Sequence, residues 1–160
     1  MRTLYAFAVC TNKATLYDIE QDGLNLRFVK EQNTEICLAA VKQNGMALQF
    51  VEEQTPEICL AAVEENGDAL QFVQNQTHDL CKAAIVTTPS AIRFVRKQTL
   101  DLCCLAASGH KNALKFIKIL DPEIIESYLR APFYDREMLH RYEEEMKMEK
   151  IIEENGGWLP

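Results

Sequence analysis

No apolar run in this chain approaches the roughly 18 to 20 residues that cross a bilayer as a helix. The opening Met1-Arg2-Thr3-Leu4-Tyr5-Ala6-Phe7-Ala8-Val9 is too short, and too polar at its end, to act as a signal peptide. There is no Gly-rich phosphate loop, His-Glu-x-x-His motif, Cys-x-x-Cys pair or Ser/His/Asp grouping. These absences predict a soluble, cytoplasmic protein that is not an enzyme and holds neither cofactor nor metal. Tryptophan occurs once, at Trp158.

The 160 residues amount to about one domain, large enough to bury a core without a disulfide staple. The net charge of -7 is unevenly distributed. Residues 1–31 balance at 0, while residues 32–86 reach -6 through eight acids that include Glu52, Glu53, Glu64 and Glu65. Residues 87–120 reverse to +5, because Arg93, Arg96, Lys97, Lys111, Lys115 and Lys118 face only Asp101. Residues 121–160 return to -6. Such segregation orients a charged partner and argues against general coating of DNA.

What is there is a 22-residue repeat. Phe28, Phe50, Phe72, Phe94 and Phe116 keep that spacing, as do Cys37, Cys59, Cys81 and Cys103. The columns Leu26, Leu48, Leu70, Ile92, Leu114 and Val29, Val51, Val73, Val95, Ile117 run beside them. A fixed period in this range means stacked supersecondary units, each too small to fold alone. The unit predicts two short helices. Thr55, Thr77 and Thr99, with Asn33 and Thr11 in the same column, are N-caps of helix A, and Pro56 sits where a missing amide costs nothing. Asn44-Gly45 and Asn66-Gly67 end helix A, glycine accepting the left-handed conformation of a terminus. Helix B follows, and Ile58, Cys59, Ala61, Ala62, Val63, Leu70, Phe72 and Val73 are the predicted core. Pro89 replaces the glycine, so Thr87-Thr88-Pro89-Ser90 predicts a longer turn. Asp121-Pro122-Glu123 aligns with Thr55-Pro56-Glu57 and opens a sixth helix A, and residues 11–23 form a degraded first one.

The unit Glu-Ile-Cys-Leu-Ala-Ala-Val-x-x-Asn-Gly-x-Ala-Leu-Gln-Phe-Val resembles a short helical repeat of uncharacterised function that recurs in giant-virus, phage and some bacterial proteins. The resemblance covers roughly residues 10–130 and is strongest over 32–76. It implies a helical array, a viral or phage ancestry and no catalytic residues. The expected fold is an all-α, right-handed-type α-solenoid of about 11 or 12 short helices in pairs. Its units fall near residues 10–31, 32–53, 54–75, 76–97 and 98–120, with a partial copy at 121–130. Residues 131–160 form a charged helical tail with Tyr134, Met138, Tyr142 and Met146 spaced four apart, ending in a flexible Gly156-Gly157-Trp158-Leu159-Pro160.

The cysteine column predicts packing thiols, because repeat copies are translated by about 10 Å and do not converge on a metal. His78, His110 and His140 occupy different columns and suit solvated or capping roles. The exposed face of helix B is where copies differ: Arg27, Gln49, Gln71, Arg93, Lys115, and then Lys30, Glu52, Gln74, Arg96, Lys118. Arg93, Arg96, Lys97, Lys115, Lys118, Gln71, Gln74, Glu52 and the terminal Trp158 and Leu159 are the candidate contacts for a protein partner. The expected function is a non-enzymatic protein–protein interaction module, in its sharper form a viral or phage protein that inhibits a host nuclease or defence complex. A nucleic-acid binder using the basic residues and a self-assembling structural protein are the alternatives. A monomer or small homo-oligomer with no membrane partner is expected.

Overall fold

The computed structural model describes residues 16–119 and 121–130 and, further on, residues 137, 140, 141, 143, 144 and 147. The chain divides into two compact units, Met1–Thr88 and Pro89–Pro160. Both are built from one alternation of an α-helix and a 3-10 helix. In the first unit these are α1 (Leu16–Gln21), η1 (Gly23–Phe28), α2 (Thr34–Gln43), η2 (Gly45–Phe50), α3 (Pro56–Glu65), η3 (Gly67–Phe72) and α4 (His78–Thr87). The second holds η4 (Pro89–Phe94), α5 (Leu100–Gly109), η5 (Lys111–Phe116) and α6 (Pro122–Leu129). The protein is an all-α helical repeat, with eleven helical segments among the described residues up to Leu129.

Four of the α-helices, α2, α3, α4 and α6, start on a side-chain cap. Asn33 accepts from the Ile36 amide at 2.8 Å, and Thr55 and Thr77 accept from Ile58 and Leu80 at 3.3 Å. Asp121 accepts from the Glu123 amide at 2.9 Å and opens α6 where its alignment predicts. Thr99 departs from the pattern: its hydroxyl turns to the Asp101 carboxylate and makes no cap bond to the helix. Thr11 lies outside the described residues.

The second helix of each unit winds tighter than the sequence pattern suggests. Asn44 is at once the end of α2 and the cap of η2, with extended backbone (φ -154°) and a side-chain oxygen that accepts from Met46 at 3.0 Å. The first amide bond of η2 then runs from Ala47 back to the Asn44 carbonyl at 2.8 Å. Three residues per turn stack positions i and i+3 into edges. Gly45 and Leu48 form a buried edge, Ala47 and the half-buried Phe50 a second, and the half-buried Met46 and exposed Gln49 a third. Asp22, Asn66 and His110 repeat the Asn44 cap, His110 accepting from Asn112 through Nδ1 at 3.1 Å. His110 is therefore a capping residue.

Two expectations are corrected here. None of Gly23, Gly45, Gly67 or Gly109 adopts the left-handed conformation. Gly45 and Gly67 are required by close approach: a Cβ added at either would collide with the Ala62 or Ala84 carbonyl oxygen of the following α-helix. Pro89 also introduces no longer turn. Helix α4 runs to Thr87, Thr88 alone caps it, and Pro89 is the first residue of η4, a position that needs no amide donor.

Within the first unit α1 packs on α2, α2 on α3 and α3 on α4, while η1, η2 and η3 pack in the same order alongside. In the second, α5 packs on α6 and η4 on η5. Alanines 40, 62, 84 and 106 are fully buried at the contacts, letting neighbouring helices approach closely, and Leu48, Leu70, Ile92 and Leu114 fill the space between rows. The phenylalanine column differs from the expected core. Phe28, Phe50, Phe72, Phe94 and Phe116 are each half-buried.

Candidate interaction surface

One glutamine at the head of a repeat ties down the end of that repeat's own 3-10 helix. Gln54 precedes the cap of α3, and its Nε2 donates to the Phe72 carbonyl at 3.0 Å, while its Oε1 accepts from the Gln74 amide at 3.0 Å. Gln32 makes the same pair, to the Phe50 carbonyl at 2.8 Å and from the Glu52 amide at 3.1 Å. In the second unit Gln98 donates to Phe116 at 2.8 Å and accepts from Lys118 at 2.9 Å. A carboxamide is the side chain that suits this position, because it presents a donor and an acceptor side by side to a carbonyl and an amide of one strand of backbone. Gln76 and Gln98 also donate to Leu70 and Ile92 carbonyls at 3.2 and 3.1 Å.

The cysteines complete the clamp. The thiols of Cys37, Cys59, Cys81 and Cys103 lie 3.5, 3.7, 3.9 and 3.8 Å from the Oε1 of Gln32, Gln54, Gln76 and Gln98. Burial pushes the Cys37 and Cys59 thiols above their ordinary range, with the Glu52 carboxylate adding to the effect at Cys37. At Cys103 burial, then the neighbouring Cys104 and Asp101, raise it to about 12. These are buried, neutral packing thiols. Among the described residues no three His, Cys, Asp or Glu side chains gather as a metal would need.

A neutral buried thiol makes a pH prediction. Its folded pKa is raised, so the stability it contributes is fully present below the unfolded value of about 8.5 and is lost as pH rises toward about 12 at Cys103. Urea unfolding should show stability falling between pH 8 and pH 10. Thiol labelling of the native protein at pH 8 should modify the half-buried Cys104 long before Cys37, Cys59 or Cys103. Labelling of all at one rate would contradict the burial described.

The clamp fixes the backbone beneath the candidate surface. Glu52, Gln74 and Lys118 carry the amides that Gln32, Gln54 and Gln98 hold, and all three project exposed side chains. Gln71 lies one edge over on η3, exposed, its Nε2 donating to the Asp68 carbonyl at 3.0 Å. In the Pro89–Pro160 unit Arg93, Arg96, Lys97, Lys115 and Lys118 are all exposed. The Arg93 guanidinium lies 4.5 Å from the centre of the Phe94 ring and 5.6 Å from that of Phe116, and the Lys115 ammonium is 5.3 Å from the Phe116 centre. Cations therefore rest on the half-exposed rings, an arrangement that steadies charge at the surface. Arg27 over Phe28, at 4.5 Å, is the same device in the first unit.

The basic cluster is thus brought together in one unit, whereas Glu52, Gln71 and Gln74 belong to the other. Trp158 and Leu159, and Tyr134, Met138, Tyr142 and Met146 of the tail stripe, lie outside the described residues. The residues that sequence reasoning missed are the clamp glutamines. Gln32, Gln54, Gln76 and Gln98 keep the 22-residue spacing, so the signal existed as a polar column directly ahead of the caps.

A family model described as "Domain of unknown function (DUF4116)" matches residues 18–55 and again residues 35–76. The chain is similar to that family over these two overlapping segments, each longer than one repeat unit. The match fits a short repeat family of unknown function. No curated protein and no solved structure matches the chain. No helix among the described residues is long and apolar enough to cross a membrane.

Proposed function

We propose that this protein is a non-enzymatic binding module that recognises a macromolecular partner through the outer edge of its 3-10 helices and the residues just after them. The observation that carries the reading is the contrast at one repeated position. The backbone is clamped identically at residues 52, 74 and 118, yet the exposed side chains there are Glu52, Gln74 and Lys118. A constant frame carrying changing chemistry is what a repeat protein needs to read a partner. The basic cluster of the Pro89–Pro160 unit takes an acidic patch on a protein. In its sharper form the proposal is a viral or phage product that occupies a host protein surface, an origin supported by the resemblance of the repeat, with a nuclease or defence complex as the kind of target.

The phenylalanine rings favour a protein over single-stranded nucleic acid. Stacking of bases needs free aromatic faces, and Arg93 and Lys115 already rest on those of Phe94 and Phe116. The test is quantitative cross-linked capture from lysate of the cells in which the protein occurs. Intact protein is compared with a folded Arg93→Glu, Arg96→Glu, Lys97→Glu variant, alongside salt-titrated binding to generic DNA and RNA. One protein captured by the intact chain and lost from the variant is the expected result. Salt-dependent nucleic-acid binding lost from the same variant would replace the protein partner with nucleic acid.

A further inference from the structure

We infer that the Met1–Thr88 unit also carries a groove for an extended, polyproline-II-like peptide bearing a basic and an apolar side chain three residues apart. Two clefts on this unit are copies of one another. The first, of about 230 Å³, is lined by Gln32, Asn33, Cys37, Glu52, Glu53 and Ile58. The second, of about 190 Å³, is lined by Gln54, Pro56, Cys59, Gln74, Asn75 and Leu80. Every residue of the second stands 22 positions after one that lines the first, Pro56 after Thr34 among them. Each cleft shares its clamp glutamine and thiol, so the walls are held by the bonds already described.

Both volumes fall below the roughly 300 to 1,000 Å³ of small-molecule sites, and each suits a single side chain. Their chemistry differs where the repeat differs. The first presents the carboxylates of Glu52 and Glu53, both exposed, within a stretch of chain whose balance is -6. In the second those positions are the carboxamides of Gln74 and Asn75, and Pro56 and Leu80 supply apolar wall. The first cleft therefore selects a lysine or arginine, and the second an aliphatic residue, with carboxamides at its rim suited to pairing with peptide backbone.

Stacked α-helices lie about 8 to 10 Å apart, which sets the displacement expected between copies of a cleft. A polyproline-II segment rises about 3.1 Å per residue with three residues per turn, so positions i and i+3 lie on one face roughly 9 Å apart. A β-strand covers a similar span in three residues but turns alternate side chains away. The occupant is therefore a pre-extended segment carrying its cation and its aliphatic side chain with two residues between them.

Fluorescence anisotropy with the intact protein tests this, using short labelled peptides in which a lysine and a leucine flank two prolines, made in both orders. Binding of at least one order at sub-millimolar concentration is expected, weakened about five- to tenfold when the lysine becomes glutamate or one proline is removed. The Glu52→Lys, Glu53→Lys variant, checked as folded by circular dichroism, should lose the lysine peptide and gain the glutamate one. The Arg93→Glu, Arg96→Glu, Lys97→Glu variant should bind the lysine peptide as the intact protein does, so failure here is separable from failure of the basic surface. No anisotropy change up to about 1 mM, or equal binding of lysine and glutamate peptides by the intact protein, would overturn the inference.

Discussion

Gly45→Ala should destabilise the Met1–Thr88 unit by about 3 kcal/mol and lower its melting temperature by roughly 15 °C. By intrinsic preference the change ought to help, since alanine in a helix interior is favoured over glycine by about 0.5 to 1 kcal/mol. The packing reverses the sign. An added Cβ at Gly45 collides with the Ala62 carbonyl oxygen and also meets Asn66 Cβ at 3.0 Å and the Asn66 amide nitrogen at 3.1 Å. The oxygen cannot swing aside, because it already accepts the Asn66 amide at 2.9 Å at the end of α3. Relief requires η2 and α3 to separate, and that contact is part of what holds successive copies together. Because stability in a repeat array is the sum of units and interfaces, weakening one interface uncouples its two sides. Gly67→Ala should behave alike against the Ala84 carbonyl and Thr88. Urea unfolding followed by circular dichroism checks both variants. A gain in stability for either would mean that the neighbouring helix yields without cost.

This glycine shows where sequence reasoning reached and where it stopped. The position of Gly45 was legible from the Asn-Gly pair, but its reason was assigned to backbone conformation. The close neighbour is a backbone atom 17 residues away in the chain, and no local pattern announces it. The α-helices were legible almost throughout, since Thr55, Pro56, Glu57 and the apolar Ile58, Cys59, Ala62 and Val63 are each signals of start or face. The 3-10 helices were not. A segment of six residues such as Gly67–Phe72 is too short for its apolar positions to separate a period of 3.0 from 3.6. The consequence fell on the surface. The charge pattern marks Arg93, Arg96, Lys97, Lys115 and Lys118, and all are exposed, but the seating of Arg93 and Lys115 on Phe94 and Phe116 depends on a tighter winding and a half-exposed ring. The clamp was hidden for a related cause. A glutamine ahead of a cap looks like a solvated loop residue until the backbone 18 to 20 positions onward is known to pass beside it.

The clamp predicts a substitution whose cost depends on pH. Gln54→Glu keeps size and shape, and the introduced carboxylate can still accept from the Gln74 amide. What it loses is the donor to the Phe72 carbonyl, so that two acceptors face each other across the 3.0 Å now spanned by a hydrogen bond. The Cys59 thiol, near the same group, offers only a weak donor in compensation. The protonated carboxyl restores a donor, so folding favours the protonated form and raises the folded pKa above the ordinary value of about 4.3. A group with a raised folded pKa contributes fully below its unfolded value and loses that contribution as pH rises through the folded one. The variant should therefore lie within about 1 kcal/mol of the parent near pH 4 and fall about 3 kcal/mol below it at pH 7. Gln54→Ala, with both partners left to water, should cost about 2 kcal/mol at either pH. Measuring the two variants by urea unfolding at both pH values separates a clamp from a passive filler. A passive glutamine would give the carboxylate variant no pH dependence beyond that of the parent. The same loss at Gln98→Glu, against Phe116 and Lys118 of the other unit, would establish the clamp as the element that lets a constant frame carry a different side chain at each copy.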